Sequence, residues 1–158
     1  MKYKHVLFLI QAAVIAAIYA VLTLVLMPFS YGVMQVRISE ALTILPYFTP
    51  AAIPGLFVGC LLANIIGPYG ILDIVFGSLT TLIAAVGSYF FRKYPLLVPL
   101  PPVVANGVII GLLLHYAFGV PVAIWACMLW VGFGEFISCY VLGLPLMRLL
   151  KKYEYIFK

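Results

Sequence analysis

The sequence predicts an all-α integral membrane protein with six transmembrane helices, forming a single transmembrane domain over residues 1–158. Of the 158 residues, 66% are hydrophobic and only 8% are charged, and the mean hydropathy is +1.24. Because the surface of a soluble domain is about 25–35% charged, lipid is expected to be the main solvent of this chain. Six spans of about 20 residues each use nearly the whole length and leave little for loops.

The expected spans, in chain order, are 6–27, 39–49, 51–66, 71–91, 103–118 and 122–147. Only the apolar stretch 41–66 is ambiguous, because Pro46, Pro50 and Pro54 disfavour a single straight helix. As one kinked span it gives five crossings and a 7 to 2 distribution of Lys and Arg between the two sides. As two spans it gives six crossings and an 8 to 1 distribution, which the positive-inside rule favours.

In the six-span topology both termini are cytoplasmic, and the protein is a multi-pass protein of the cell membrane. The loop Pro28–Glu40 lies outside, and Arg37 is its only cation. The inner loop 92–102 contains Pro95, Pro99, Pro101 and Pro102, which are expected to hold it extended. The other basic residues flank spans, as in cytoplasmic loops, and do not indicate binding to nucleic acid.

The sequence lacks the motifs of several kinds of functional site. The chain contains no Gly-Lys dipeptide, so no P-loop for a nucleotide is predicted. The two histidines are far apart and the three cysteines lie singly in apolar stretches, which predicts neither a metal site nor a disulfide; the cysteines are interpreted as apolar filling. No nucleophile motif is present, so neither an enzyme nor a cofactor is expected.

Small residues form a stripe on the first span. Residues four apart lie on one face of a helix, and small faces let helices approach closely in lipid. The stripe is therefore a candidate partner surface, with packing inside the protein as the alternative. It consists of Ala12, Ala13, Ala16, Ala17 and Ala20. The pairs Gly55/Gly59 and Gly107/Gly111 have the same spacing and are interpreted as internal packing.

Acidic residues are the strongest candidates for a binding site, because charges at membrane depth are costly and usually functional. Glu135 lies midway along the last span, where Gly132 and Gly134 clear space beside it; pairing with a nearby amide is the structural alternative. Arg37 is either a ligand or lid residue or an ion-pair partner of Glu40. Further candidates are Asn64, Tyr69, Asp73, Asn106 and Trp130.

Five stretches together resemble the QueT family, the substrate-binding S-components of energy-coupling factor (ECF) transporters for queuosine precursors. The most specific is residues 36–46 (VRISEALTILP), and the others are 55–64, 72–82, 101–107 and 139–146. The resemblance covers nearly the whole chain. It implies a six-helix S-component bundle that takes substrate from outside and works with a transmembrane T-component and two ATPase subunits.

The resemblance also implies a deazapurine substrate such as 7-aminomethyl-7-deazaguanine (preQ1). Glu135 is expected to accept two N–H donors from its pairing edge, and Asn64 or Asn106 to donate to its carbonyl. Tyr69 or Trp130 would stack on the ring, and Glu40 or Asp73 would attract the aminomethyl cation. The alternative function is a proton-coupled carrier or pore subunit that uses Glu135 and Asp73 as relay groups.

Overall fold

The computed structural model describes residues 2–30 and 36–157. These ranges contain helices and connecting turns and no β-strand, so the all-α prediction is confirmed. The α-helices are α1 (Lys2–Val25), α2 (Met27–Ser30), α3 (Ala52–Ile66), α4 (Ser78–Phe90), α5 (Leu100–Tyr116), α6 (Ile124–Phe136) and α7 (Gly143–Lys151). Three 3₁₀ helices and two π-helical turns complete the described structure: Ile38–Tyr47, Phe91–Lys93, Glu154–Phe157, Asp73–Gly77 and Ile137–Leu142.

Three continuous helical stretches are long and apolar enough to cross a membrane: Tyr3–Val25, Asp73–Lys93 and Ile124–Lys151. The apolar helices α3 and α5 have 15 and 17 residues. At 1.5 Å per residue they measure about 22 to 26 Å, somewhat less than a hydrocarbon core of about 30 Å. The described part of the chain thus contains three candidate spans by length, and the six-span topology stays a prediction.

The expected second span, 39–49, is occupied by the 3₁₀ helix Ile38–Tyr47, which contains Pro46. Ten residues at about 2.0 Å each extend about 20 Å, so this segment is shorter and narrower than a regular span. It packs against α1, α4, α7 and the π turn Ile137–Leu142, and most of its residues are buried.

The proline-rich loop 92–102 differs from the extended conformation expected of it. Pro101 and Pro102 lie in the first turn of α5, and the backbone of Pro99 is already helical, with φ −76° and ψ −10°. The amide hydrogens in the first turn of a helix have no acceptor within the helix, so proline, which lacks this hydrogen, is tolerated there. These prolines therefore start α5 instead of extending the loop.

The long helices pack in a row, α1 on α3, α3 on α4, α4 on α5 and α5 on α6. Tyr19, Ile44 and Leu56 are fully buried at the centre of the larger apolar cluster. A smaller cluster between α5 and α6 contains Leu114 and Val131. The larger cluster joins α1 and α3 to the 3₁₀ helix Ile38–Tyr47, which fixes the surroundings of the polar groups described below.

The alanine pattern of α1 divides between two faces. A Cβ atom added to Gly55 would lie 2.8 Å from the Ala12 carbonyl oxygen, and one added to Gly59 would lie 2.8 Å from the Ala16 carbonyl oxygen. Ala12 and Ala16 thus pack against α3, whereas Ala13 and Ala17 are exposed. The Gly107/Gly111 face packs similarly, against Gly132 and Met128 of α6.

We predict that Gly59→Ala lowers the stability of the protein by about 1–3 kcal/mol, because its methyl group overpacks the contact between α1 and α3. Thermal unfolding in one detergent measures the effect. Gly132→Ala is the matched control, since its Cβ would meet nothing closer than 3.9 Å and alanine favours a helix over glycine. Equal destabilisation by both variants would contradict close α1–α3 packing as the cause.

Candidate substrate-binding site

A cluster of polar side chains is buried where α1, α3, α4 and α6 meet the 3₁₀ helix Ile38–Tyr47. We call it the polar core. Each of its residues is no more than 4% exposed, and they are joined by the contacts described below. Its members are Tyr19, Thr23, Arg37, Ser39, Glu40, Thr43, Cys60, Asn64, Asp73, Thr81, Glu135 and Cys139.

Arg37 is paired with Asp73 on one side of the polar core. Its Nη2 atom lies 3.6 Å from Asp73 Oδ2, and its Nε donates to the Ser30 carbonyl oxygen at 3.1 Å. An ion pair of Arg37 with Glu40 was one of the two alternatives from the sequence, and the structure pairs Arg37 with Asp73 instead. This contact links the segment before the 3₁₀ helix to the start of the helical stretch Asp73–Lys93. Two opposite charges are thereby buried together.

Cys60 accepts contacts from several donors beside this ion pair. Thr81 Oγ1 donates to Cys60 Sγ at 3.2 Å, and Asn64 Nδ2 lies 3.5 Å from the same sulfur. Asn64 Nδ2 also donates to the Asp73 carbonyl oxygen at 3.0 Å. A Cβ atom added to Gly77 would lie 2.7 Å from Asn64 Nδ2 and 2.9 Å from Asp73 Oδ1. The glycine therefore makes the space in which these two side chains meet.

Glu40 lies on the opposite side, held by α1. The Tyr19 hydroxyl donates to Glu40 Oε1, and one helical turn further along, Thr23 Oγ1 and Ser39 Oγ are 2.6 Å apart. Glu40 Oε2 is buried and accepts no hydrogen bond from any side chain or backbone group in the described residues. One carboxylate oxygen is thus fixed, and the other is available to a ligand.

Glu135 approaches Glu40 from α6. Ligand atoms of Glu40, Glu135 and Cys139 all lie within 4.8 Å of one another, and Cys139 Sγ is 3.6 Å from Glu135 Oε2. The π turn Ile137–Leu142 follows Glu135 directly; such turns occur frequently at functional sites. The three groups have the spacing of metal ligands, although the sequence predicted no metal. Their combined chemistry is that of a site for a positively charged group.

Tyr69 lies at the rim of the polar core, in the turn between α3 and the helical stretch Asp73–Lys93. Its ring packs against Phe118, with the ring centroids 4.9 Å apart. Burial raises the pKa of the Tyr69 phenol, the Asp73 carboxylate raises that pKa further, and the Arg37 guanidinium lowers it. The hydroxyl consequently stays protonated near neutral pH and can donate a hydrogen bond.

The structure brings five of the sequence candidates together: Arg37, Glu40, Asn64, Asp73 and Glu135. Asn106 is buried, but its Nδ2 donates to the Pro102 carbonyl oxygen of its own helix at 3.1 Å. Trp130 is 45% exposed and lines an apolar groove on the outer side of α5 and α6. Tyr69 is therefore the candidate for stacking on a ligand at the polar core, and Trp130 belongs to the outer surface.

Sequence reasoning missed several members of the polar core. Cys60 and Cys139 contact polar groups, although they were interpreted as apolar filling, and Tyr19 was not among the candidates. A signal was present, because Cys60 precedes Asn64 by four residues and Cys139 follows Glu135 by four. Residues four apart share a helix face, so these thiols had to lie beside the polar candidates.

Comparisons with known proteins identify relatives of the chain. The family model described as QueT transporter matches residues 9–152. A protein of Lactococcus lactis subsp. cremoris (strain MG1363), named queuosine precursor transporter QueT, is 30% identical over 97 residues. That alignment covers 60% of this chain and 57% of the relative, so it spans little more than half of the relative's length. No solved structure matches the chain significantly.

We predict that Arg37→Gln destabilises the protein by about 3–5 kcal/mol, because Asp73 then stays buried without its cation. The double variant Arg37→Gln with Asp73→Asn should recover much of that loss, since it buries no unbalanced charge. Thermal unfolding of the parent protein, of Arg37→Gln, of Asp73→Asn and of the double variant completes a double-mutant cycle. Strictly additive effects of the two substitutions would contradict a direct ion pair.

Proposed function

Because the chain belongs to the QueT transporter family, we propose that it is the substrate-binding subunit, or S-component, of an ECF-type importer. Its substrate in this proposal is a queuosine precursor such as preQ1, taken up from outside the cell. The family is one of transporters, and the chain is not an enzyme. The observation that carries the proposal is the polar core, a set of buried charged and polar groups inside an apolar helical protein.

The polar core supports a nitrogen-rich heterocycle as ligand. A deazaguanine carries N–H donors and a ring carbonyl, and the polar core offers complementary groups. Glu135 and Glu40 are acceptors for N–H donors, Asn64 can donate to a carbonyl, and Tyr69 at the rim can stack on the ring. Asn106 and Trp130 belonged to the contact set expected from the sequence, and this scheme does not include them.

The proposed assembly contains a transmembrane T-component and two ATPase subunits. The sequence has no P-loop of its own, which supports an energy source on another subunit. The two exposed alanines of the stripe, Ala13 and Ala17, support close approach by a helix of the T-component. In the proposed topology both termini are cytoplasmic, and the loop Pro28–Glu40 is extracellular.

Equilibrium binding tests the proposal most directly. Purified protein without ATP or any partner should bind preQ1 with 1:1 stoichiometry in calorimetry. A proton-coupled carrier using Glu135 and Asp73 would instead transport substrate alone in proteoliposomes, driven by a proton gradient. Absence of binding together with such transport would reject the S-component.

Glu135→Gln is predicted to weaken preQ1 binding by about 2–4 kcal/mol, or roughly 30- to 1000-fold. The amide replaces one acceptor oxygen with a donor that faces the N–H groups of the ligand. Folding should be preserved, because an uncharged amide is easier to bury than a carboxylate. Calorimetry measures the affinity, and thermal unfolding without ligand is the control. Unchanged affinity with a large loss of stability would make Glu135 a structural residue.

Ala17→Trp is predicted to block assembly with the T-component and to leave preQ1 binding by the isolated subunit intact. The side chain of Ala17 is exposed, so the indole interferes with a partner helix and not with the fold. Ile83→Trp, at a 56% exposed position of α4, is the matched control and should assemble normally. Co-purification with the T-component and ATPases measures assembly. Normal assembly of the Ala17 variant would remove this face from the proposed interface.

A further inference from the structure

The polar core contains more buried carboxylates than buried cations. Among the described residues, Arg37 is 4% exposed, whereas Glu40, Asp73 and Glu135 are between 0 and 2% exposed. The other Lys and Arg side chains that the structure describes are all exposed: Lys4, Arg92, Lys93, Arg148, Lys151 and Lys152. The described part of the protein interior therefore contains one guanidinium group and three carboxyl groups.

Arg37, the single buried cation among the side chains that the structure describes, forms an ion pair with one of these carboxyl groups. Arg37 Nη2 lies 3.6 Å from Asp73 Oδ2, and Arg37 Nε is occupied by the Ser30 carbonyl oxygen. Asp73 Oδ1 and Oδ2 also lack a hydrogen-bond partner in the described residues, but the negative charge of Asp73 is balanced by Arg37. The unbalanced carboxyl groups are those of Glu40 and Glu135, which come from different elements of the fold.

Glu40 and Glu135 lie side by side, with ligand oxygens within 4.8 Å of each other. Two carboxylates so close disfavour each other's ionised form, unless a cation lies between them. Tyr19 hydrogen-bonds to Glu40 Oε1, whereas Glu40 Oε2 has no hydrogen-bond partner in the described residues. A buried acceptor without a donor is unfavourable, so a ligand that donates a hydrogen bond to this oxygen would be stabilised.

We infer that Glu40 and Glu135 together bind a cationic ammonium group of the ligand, and that the protein thereby selects an amine-bearing deazaguanine over a neutral one. This inference rests on the proposed function. An ammonium group carries three N–H donors and one positive charge, which matches Glu40 Oε2 and the Glu135 carboxylate. The short distance between the two glutamates suits one small group better than opposite ends of a ring. Asp73 is excluded from this role by its pairing with Arg37.

The test compares two ligands that share one ring system. 7-Aminomethyl-7-deazaguanine carries the ammonium group, and 7-cyano-7-deazaguanine carries a neutral nitrile at the same position. Calorimetry on the purified full-length chain gives both dissociation constants and their ratio. The amine should bind the native protein about 10- to 100-fold more tightly than the nitrile, the range expected for a charge-assisted hydrogen bond.

Three variants locate this preference. In Glu40→Gln and in Glu135→Gln the ratio should fall to within about threefold of one, because each removes a negative charge beside the ammonium group. Glutamine at position 40 keeps an oxygen that can accept from Tyr19. The double variant Arg37→Gln with Asp73→Asn is the matched control: it removes a charged pair from the same polar core without leaving an unbalanced buried charge, and any loss of affinity should affect both ligands equally, so that the ratio is retained.

Each other outcome has a defined meaning. If the native protein binds neither ligand, the proposed function fails and the inference fails with it. If it binds both with equal affinity, the proposed function stands and the inference is overturned. If Glu135→Gln weakens both ligands by one factor, Glu135 binds the shared ring, which also overturns the inference. A stoichiometric metal ion in the native protein, lost in Glu135→Gln, would make the pair a metal site instead.

A folding defect would not prevent the test. If Glu40→Gln yields no folded protein, Glu40→Asp replaces it, since aspartate keeps the charge but is shorter by one methylene. The amine should still be preferred in that variant, with a ratio between those of the native protein and one. A ratio equal to that of the native protein would overturn the role of Glu40.

Discussion

Charged side chains at the depth of a bilayer have to find their partners inside the protein, because lipid offers neither donors nor acceptors. In this chain the partners come from distant parts of the sequence. Arg37 pairs with Asp73, and Glu40 is held by Tyr19. These contacts tie the 3₁₀ helix Ile38–Tyr47 between α1 and the helical stretch Asp73–Lys93. The arrangement of the helices around it follows from the need to enclose these groups.

Close packing makes that enclosure possible. Gly59 brings α3 against the backbone of α1, and Gly77 leaves room for Asn64 beside Asp73. In a membrane such contacts also supply much of the association energy, since lipid tails are as apolar as the side chains. Small residues therefore have two functions here. They join the helices, and they admit polar side chains into spaces that larger residues would fill.

The sequence predicted the all-α class, the family and five members of the polar core, because hydropathy and rare charges are local signals. The sequence did not predict the features that depend on contacts between residues distant in the chain. Arg37 pairs with Asp73, 36 positions away, and not with neighbouring Glu40. Residues 39–49 are expected to form a span, and the structure shows there a short 3₁₀ helix, Ile38–Tyr47, packed against six other elements of the described structure. Cys60 and Cys139 were interpreted as apolar residues, because a cysteine in an apolar stretch shows a polar role only when its spatial neighbours are known.

The two π-helical turns have a consequence for how relatives of this protein should be compared. A π turn accommodates one residue more than the α-helix around it, and one residue corresponds to about 100° of helix rotation. Residues before and after Asp73–Gly77 or Ile137–Leu142 consequently do not keep the phase of a continuous α-helix. A relative that lacks the extra residue would direct a different face inward beyond that point. Alignments of such chains should therefore place single-residue gaps at these turns, and conservation should be assessed separately on each side.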